Sequence, residues 1–297
     1  MDINFELYKV FYYVATYLSF SEAAQHLYIS QSAVSQSIKN LEEKLNISLF
    51  FRHTKQIQLT QEGTLLLQHI EPAFHLIKTG ERNLQETLSL ERGEIRIGAS
   101  DTICRYYLLP FFHLFHEKYP KIQIHITNRT SPKSIQLLKQ GQIDVSIIHL
   151  PNPYITSQMT VLPFKKIQDV FIAGKPFFSL LYQKNQIFLK DLEQYPFLML
   201  EKNTATRHFF DTLCKKQKIQ ISPDIELGSI DLLVELCKIG LGLSLVPKEC
   251  LRDFSPQDIQ ILPVKETIPK RQLGIVYLNH VPLSKGTQEW IRLLTQS

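Results

Sequence analysis

Four cysteines are spread over 297 residues, at positions 104, 214, 237 and 250, and no two form a Cys-x-x-Cys pair. That spacing builds neither a disulfide framework nor a cysteine metal site, and it fits reduced thiols in a cytoplasmic protein. Long apolar runs are missing too: no uncharged stretch reaches the ~18 residues that a membrane-spanning helix needs. The acidic start Met1-Asp2-Ile3-Asn4-Phe5-Glu6, with no small-residue cleavage site after residues 10–20, argues against a signal peptide. No low-complexity tract and no repeat of roughly 20–50 residues is present. The familiar catalytic motifs are also lacking: there is no Gly-x-Ser-x-Gly, no Walker loop and no His-Glu-x-x-His. Gly240-Leu241-Gly242 has no third glycine and precedes a strand pattern, so it is not a dinucleotide site.

What is present is an ordinary folded composition, 44% hydrophobic and 21% charged, in a chain long enough for two or more domains. The net charge of +5 is unevenly divided. Residues 1–90 hold seven Lys/Arg against nine Asp/Glu, and the remainder holds 26 against 19. The first part is therefore net −2, and bulk positive charge does not announce its role.

Residues 5–45 read as three helices in quick succession. Leu7, Val10, Phe11, Val14 and Leu18 give the first one buried stripe. Ser21 is placed to cap a second helix over 22–28, in which Ala23 and Ala24 leave room for a close neighbour. A short turn at Ile29-Ser30 leads into the third, over 31–45. At 100° per residue, Val34, Ile38, Leu41 and Leu45 fall within about 60° on one face. Ser32, Ser35, Gln36 and Lys39 gather on the opposite face. A short polar face near the N-terminal half of a helix is what a base-reading helix presents to the major groove. Residues 46–59 are a short apolar–basic hairpin candidate.

The run Ser19-Phe20-Ser21-Glu22-Ala23-Ala24, then Leu27, then Ile29-Ser30-Gln31-Ser32-Ala33-Val34-Ser35-Gln36-Ser37-Ile38-Lys39-Asn40-Leu41-Glu42 resembles the winged helix-turn-helix of LysR-type transcriptional regulators. So does the continuation through Leu45, Leu49-Phe50-Phe51-Arg52 and Leu59-Thr60-Gln61-Glu62-Gly63. Two residues depart from the family's usual pattern: Ser32 stands where proline is common, and Gln36 where arginine is common. The resemblance implies double-stranded DNA as partner and a wing over 51–59. The DNA-contacting candidates are Gln31, Ser32, Ser35, Gln36 and Lys39, with Arg52 and Lys55 on the wing for phosphates.

Residues 60–90 form one long helical pattern with Thr60 as its cap. Leu66, Ile70, Ala73, Ile77, Gly80, Leu84 and Thr87 follow a 4-3 spacing, a coiled-coil seam with Pro72 expected to kink it near Gln68. Leu66, Ile70, Ile77 and Leu84 are the dimerisation candidates, and packing on the helix's own domain is the alternative. The resemblance implies the dimer, usually doubled to a homotetramer.

From Ile95 on, short apolar strands alternate with helices, which predicts an α/β domain with a mainly parallel sheet. The strand candidates are 95–99, 122–127, 143–150, 169–173, 197–200, 242–246 and 273–278. Pro151-Asn152-Pro153 breaks the pattern at a crossover between two lobes. The runs Gly93-Glu94-Ile95-Arg96-Ile97-Gly98-Ala99, Gly141-Gln142-Ile143-Asp144-Val145 and Gly240-Leu241-Gly242-Leu243-Ser244-Leu245-Val246-Pro247 are similar to the same family's effector-binding domain. That implies a two-lobed, type II periplasmic-binding-protein-like fold with a ligand between the lobes.

Ligands of open parallel sheets sit beyond the C-terminal strand ends. Three such ends are polar, and they supply Ser100, Asp101 and Thr102, then Arg129, Thr130 and Ser131, then Glu201 and Thr204. Arg129 is a departure, since the family usually has a small residue there. Hydroxyls at helix starts either bind an anion or simply cap the helix. His149 is a candidate ligand or pH sensor, with a structural histidine as the alternative. Cys104 is either a redox thiol or a small buried hydrophobe. The aromatic stretch Tyr106-Tyr107, Phe111-Phe112 has a spacing that suits core packing.

These patterns predict a winged helix-turn-helix over 1–60, a linker helix over 61–90 and an effector domain over 91–297. Within the last, one lobe is 91–160 with 267–297 and the other 161–266. The expected function is a cytoplasmic, non-enzymatic LysR-type regulator. Its partners are DNA, a small polar anion and a second copy of itself; no cofactor, metal or membrane is called for. A cytoplasmic solute-binding protein and an enzyme on the same lobes are the rival classes. The helix-turn-helix pattern counts against the first, and the missing catalytic motifs against the second.

Overall fold

The computed structural model describes residues 3–51, 57–87, 93–179 and 187–296. They form two compact units, residues 1–85 with 139–142, and residues 86–138 with 143–297. No described helix is long and apolar enough to cross a membrane.

The first unit holds α1 (Phe5–Tyr17), α2 (Phe20–Leu27), α3 (Gln31–Leu45) and α4 (Gln61–Thr87). Each of the first three starts at a short polar side chain that takes up a free backbone N–H. Asn4 accepts from Glu6, Ser19 from Glu22 and Ser30 from Ala33. The cap of α2 is thus Ser19 and not Ser21, because Phe20 already begins the helix and leaves Ser21 inside its first turn. The same three helices end on left-handed residues, Leu18, Tyr28 and Asn46. Their apolar faces meet in one core of Phe11, Val14, Ala23, Val34, Leu41 and Leu49, each fully buried. Ala23 lets α2 come close, as its size predicts.

Leu59 pairs with Phe50 across an antiparallel bridge, and the Phe51 N–H donates to Gln58 O at 2.9 Å, so the described ends of the 46–59 hairpin close on each other. Two side chains fasten this stem. Glu42, 6% exposed, accepts from Leu49 N at 2.7 Å and Phe50 N at 3.3 Å. Thr60 donates to Ser48 O at 2.8 Å and accepts from Gly63 N at 2.9 Å, which makes it the expected cap of α4. Gly63 is required here, since a Cβ would lie 2.2 Å from Leu49 O.

α4 runs unbroken through Pro72. Its near half is tied to the first core by Leu66, Leu67 and Ile70. Phe74 is buried against α1, stacked on Tyr12 at 4.8 Å.

The second unit is built on a five-stranded sheet in the order β2-β1-β3-β10-β4, comprising β1 (Gly93–Ala99), β2 (Ile122–Asn128), β3 (Val145–Leu150), β4 (Met159–Ile167) and β10 (Arg271–Leu278). β1 is parallel to β2 and β3, while β10 is antiparallel to β3 and β4. The sheet is therefore mixed, since β10 returns from the second lobe against the direction of the others. β4 has no counterpart among the expected strands: it contains Pro163, Lys165 and Lys166, residues tolerated at a sheet edge, where it lies. It stays paired with β10 as far as Ile167, so the first sheet extends past residue 160, the lobe edge expected from the sequence.

In the second lobe β5 (Asp169–Gly174) pairs antiparallel with β8 (Ser244–Pro247) and β9 (Ile259–Ile261), and β6 (Leu198–Leu200) pairs parallel with β7 (Ile225–Leu227). The helices are α5 (Leu109–Lys118), α6 (Ser131–Lys139), α7 (Ala205–Gln217), α8 (Ile230–Lys238) and α9 (Lys285–Thr295). A helical turn Asp101–Ile103 and a π-helical turn Cys104–Leu108 lead from β1 into α5.

One hydrophobic core runs through both lobes and joins Ile103, Leu108 and Tyr107 to Leu233, Val234 and Cys237. Phe112 stacks on the buried Trp290 at 5.0 Å, and Phe111 lies edge-on to Phe164 at 5.6 Å. The aromatic stretch is core, as its spacing predicted.

Candidate functional site

The outward face of α3 carries the side chains that its angular pattern places there. Gln31, Ser32, Ser35, Gln36 and Lys39 are all exposed, while Val34, Ile38 and Leu41 are buried beneath them. The face is partly self-paired. Ser32 shares a 2.9 Å hydrogen bond with the capping Ser30, Gln36 donates to Asn40 Oδ1 at 2.8 Å, and Lys39 lies 3.7 Å from Glu43. Such exposed pairs are weak, on the order of 0–1 kcal/mol, so they orient these groups without withdrawing them from a partner. Tyr28 at the turn before α3 is 95% exposed, a feature that the sequence pattern did not single out. Arg52 and Lys55 lie outside the described residues.

Of the four seam residues on α4, Leu66 and Ile70 pack on the helix's own core. Ile77 and Leu84 are 47% and 73% exposed, alongside Leu65 and Leu76. An amphipathic stripe does not by itself say which partner covers it, and here the near half already rests on its own core. The far half presents an open apolar stripe, and a Cβ added at Gly80 would meet nothing within 4 Å.

The three polar strand ends come together in part: Asn128 of the second touches Asp101 of the first, and Ser131 of the second shares a cleft with Asn203 and Ala205 of the third. At the first, Ser100 caps the turn after β1, the Asp101 carboxylate accepts from Asn128, and Thr102 is half-buried. The chain then continues into contacts between the lobes. Tyr106 donates to Asp231, Arg105 pairs with Asp231 at 3.2 Å, and Tyr107 donates to Glu249 at 2.8 Å. Arg129 donates to the carbonyl of Asn128, the Thr130 carbonyl accepts from Ser134 N, and Thr204 caps α7 while donating to Glu201 O. For Ser100 and Thr204 the simple capping role holds. Burial, with Asp101 adding to it, raises the Cys104 thiol to about 12, so it is no reactive thiolate.

A cleft of about 610 Å³ does open in this unit, and of the nine expected effector residues Ser131 and His149 line it. One wall is the first turn of α6 with the loop after β3, from Ser131 to Tyr154. The other is a stripe of α7, Ala205, His208, Phe209, Thr212, Leu213 and Lys216. Those positions recur at i, i+3, i+4, i+7, i+8 and i+11, a periodicity legible in the sequence. Lys270 and Arg271 form part of the floor. The lining contains Lys216 and Lys270 and no carboxylate, with Arg271 paired to Asp169, and α6 contributes its first residues, Ser131 and Pro132.

Beneath the floor Arg271 is clamped on Asp169, Nε to Oδ2 and Nη2 to Oδ1 both at 2.5 Å, with the two side chains 6% and 0% exposed. Its Nη1 lies 3.3 Å from His149 Nδ1, and its Nη2 is 3.3 Å from Thr206 Oγ1. Burial, and then the neighbouring guanidinium, hold His149 well below the usual histidine range.

Residues 5–64 match the bacterial regulatory helix-turn-helix model of the LysR family, and residues 89–297 match the LysR substrate-binding domain. Among curated relatives, a probable RuBisCO transcriptional regulator of Synechocystis is 28% identical over 298 residues, covering 98% of this chain and 86% of that one. Its namesake from Cyanidium caldarium is 30% identical over 263 residues, with coverage of 87% and 82%. A full-length OxyR variant from Pseudomonas aeruginosa superposes at a TM-score of 0.72 and 18% identity, covering 100% of this chain and 94% of that one. CbnR in complex with its target DNA superposes at 0.68 and 18% identity, with 99% of each chain covered.

Proposed function

Because this chain belongs to the LysR family of bacterial helix-turn-helix regulators, we propose that α3 reads its operator, α4 pairs two protomers, and the cleft beside α7 holds the effector. The family makes it a DNA-binding transcriptional regulator with an effector-binding domain. The finer assignments are residue by residue. Gln31, Ser32, Ser35 and Gln36 face base edges and Lys39 a phosphate or guanine, with Arg52 and Lys55 expected on neighbouring phosphates. The open stripe of Leu65, Leu76, Ile77 and Leu84 brings two readers onto paired half-sites, and a further pairing makes a tetramer. Residues 1–60, 61–90 and 91–297 divide these tasks in the cytoplasm, without a catalytic step.

The effector is a small anion. What supports this is a cleft lined by Lys216 and Lys270 with no carboxylate in its lining, beside the start of α6. Ser131 and His149 belong to it; the groups around Ser100, Arg129 and Glu201 lie beside it. Effector binding shifts the population of lobe arrangements and so the spacing of the two readers.

One observation carries the proposal: a capped helix that buries Val34, Ile38 and Leu41 while presenting a short polar face. Selection of bound fragments from the source genome, followed by titrations at two salt concentrations, tests it. Affinity independent of sequence, or a salt slope unchanged by Lys39→Ala, would refute it.

A further inference from the structure

Arginine has five N–H donors and no acceptor, and in a protein it stays protonated. The contact between Arg271 Nη1 and His149 Nδ1 at 3.3 Å therefore runs one way: Arg271 donates, and Nδ1 is the unprotonated acceptor. The ring proton then sits on Nε2. Among the described residues Nε2 has no partner, although His149 is 9% exposed and lines the cleft. Because His149 lines the cleft, an acceptor bound there can take this N–H in place of water.

The clamp keeps this tautomer in place. Arg271 opens β10, Asp169 opens β5, Thr206 belongs to α7, and His149 lies near the end of β3. All four meet where the strands cross from one lobe to the other. Asp169 holds the guanidinium in a two-pronged grip, so Nη1 cannot swing away from the ring. A second proton on His149 would set two cations against each other.

We propose that His149, held as its Nε2–H tautomer by the Arg271–Asp169 clamp, is the neutral donor that anchors the head group of the effector, and that this effector is a carboxylate on an apolar body. The role rests on the effector function proposed above. A carboxylate accepts from Nε2–H, while Lys216 and Lys270 supply the surrounding positive field. Pro132, Pro151, Phe209 and Leu213 offer the carbon surface against which the rest of such a molecule packs. A compact, fully hydrated anion such as phosphate leaves that surface uncovered.

Asparagine and glutamine separate the two nitrogens of the ring. In His149→Asn the amide oxygen still accepts from Arg271, but the donor into the cleft is gone. In His149→Gln an amide N–H returns near the Nε2 position. The full chain is labelled with ¹⁵N-histidine, and the His149 signal is assigned by its loss in His149→Asn. Benzoate, hexanoate and inorganic phosphate are then titrated. The expected result is an Nε2–H tautomer whose signal moves with benzoate or hexanoate and not with phosphate. His149→Asn should weaken carboxylate binding about tenfold or more in a chain that still melts cooperatively, and His149→Gln should restore most of it. An Nδ1–H or doubly protonated ring overturns the proposal, whatever the variants do. So does unaltered carboxylate affinity in His149→Asn, or a His149 signal that neither carboxylate moves. These results leave the effector function itself standing; that fails only if no small molecule alters operator binding by the full chain.

Discussion

Removing the Glu42 carboxylate should unfasten the hairpin stem from α3. Glu42 is a charged residue on a reading helix, yet it is 6% exposed and accepts two backbone N–H groups from the next segment, Leu49 at 2.7 Å and Phe50 at 3.3 Å. Leu49 and Phe50 are themselves buried, so water does not replace the lost acceptor. Each orphaned buried donor costs about 1–3 kcal/mol. Taking the short bond at full weight and the longer one at half gives about 3 kcal/mol for Glu42→Ala, near a hundredfold in local opening. Glu42→Gln keeps an oxygen acceptor and loses only the charge assistance, about 1 kcal/mol. Hydrogen exchange at the Leu49 and Phe50 amides reads this directly. Protection should collapse in Glu42→Ala and fall by less than about tenfold in Glu42→Gln. Protection within about threefold of the parent in Glu42→Ala would show that the carboxylate does not carry these bonds.

On the exposed face of α3, Gln36→Ala should relax preference at one base pair by ~1–3 kcal/mol, read in gel-shift titrations on matched and mismatched sites. Ile77→Glu sets an unpaired charge in the open stripe of α4 and should yield monomers on sedimentation with weaker operator binding; an intact assembly would move the interface elsewhere. Cys104, raised by burial to about 12, should resist thiol reagents near pH 8, where its thiolate fraction is on the order of 10⁻⁴. Rapid labelling of the folded chain at Cys104 would contradict that. His149 refuses a proton that the unfolded chain accepts near 6.5, so its contribution to stability is present above that pH and lost as the pH falls below it. Melting midpoints between about pH 7 and pH 5 should decline less in His149→Asn than in the parent.

Local chemistry was legible where one residue decides the outcome. Thr60 caps the helix that its position announces, and the buried and polar sides of α3 follow from angle alone. Competing local signals were less readable: Ser19 and Ser21 are equally good caps, and only the start of α2 at Phe20 decides between them. Strands β7 and β9 are three residues each, too short to show a period, and Pro163 masks β4. Long-range pairing left no mark at all. Asp169 and Arg271 are 102 residues apart, and nothing near either announces the clamp. Hydroxyls at strand ends serve two ends at once: Ser100 and Thr204 cap helices, while Ser131 lines the cleft. The wall that does line the cleft is a helix flank, whose spacing resembles that of any core-facing helix.

The join at Gly63 makes the reader and the first turns of α4 a single stiff body, because the helix approaches Leu49 too closely to slide. At 27 residues α4 is a rod of about 40 Å. Tilting such a rod by about 5° displaces one end by about 3.5 Å relative to the other, close to the 3.4 Å rise between neighbouring base pairs. On the function proposed above, a tilt of that size at one end of α4 would shift the face of α3 by about one step of the DNA ladder.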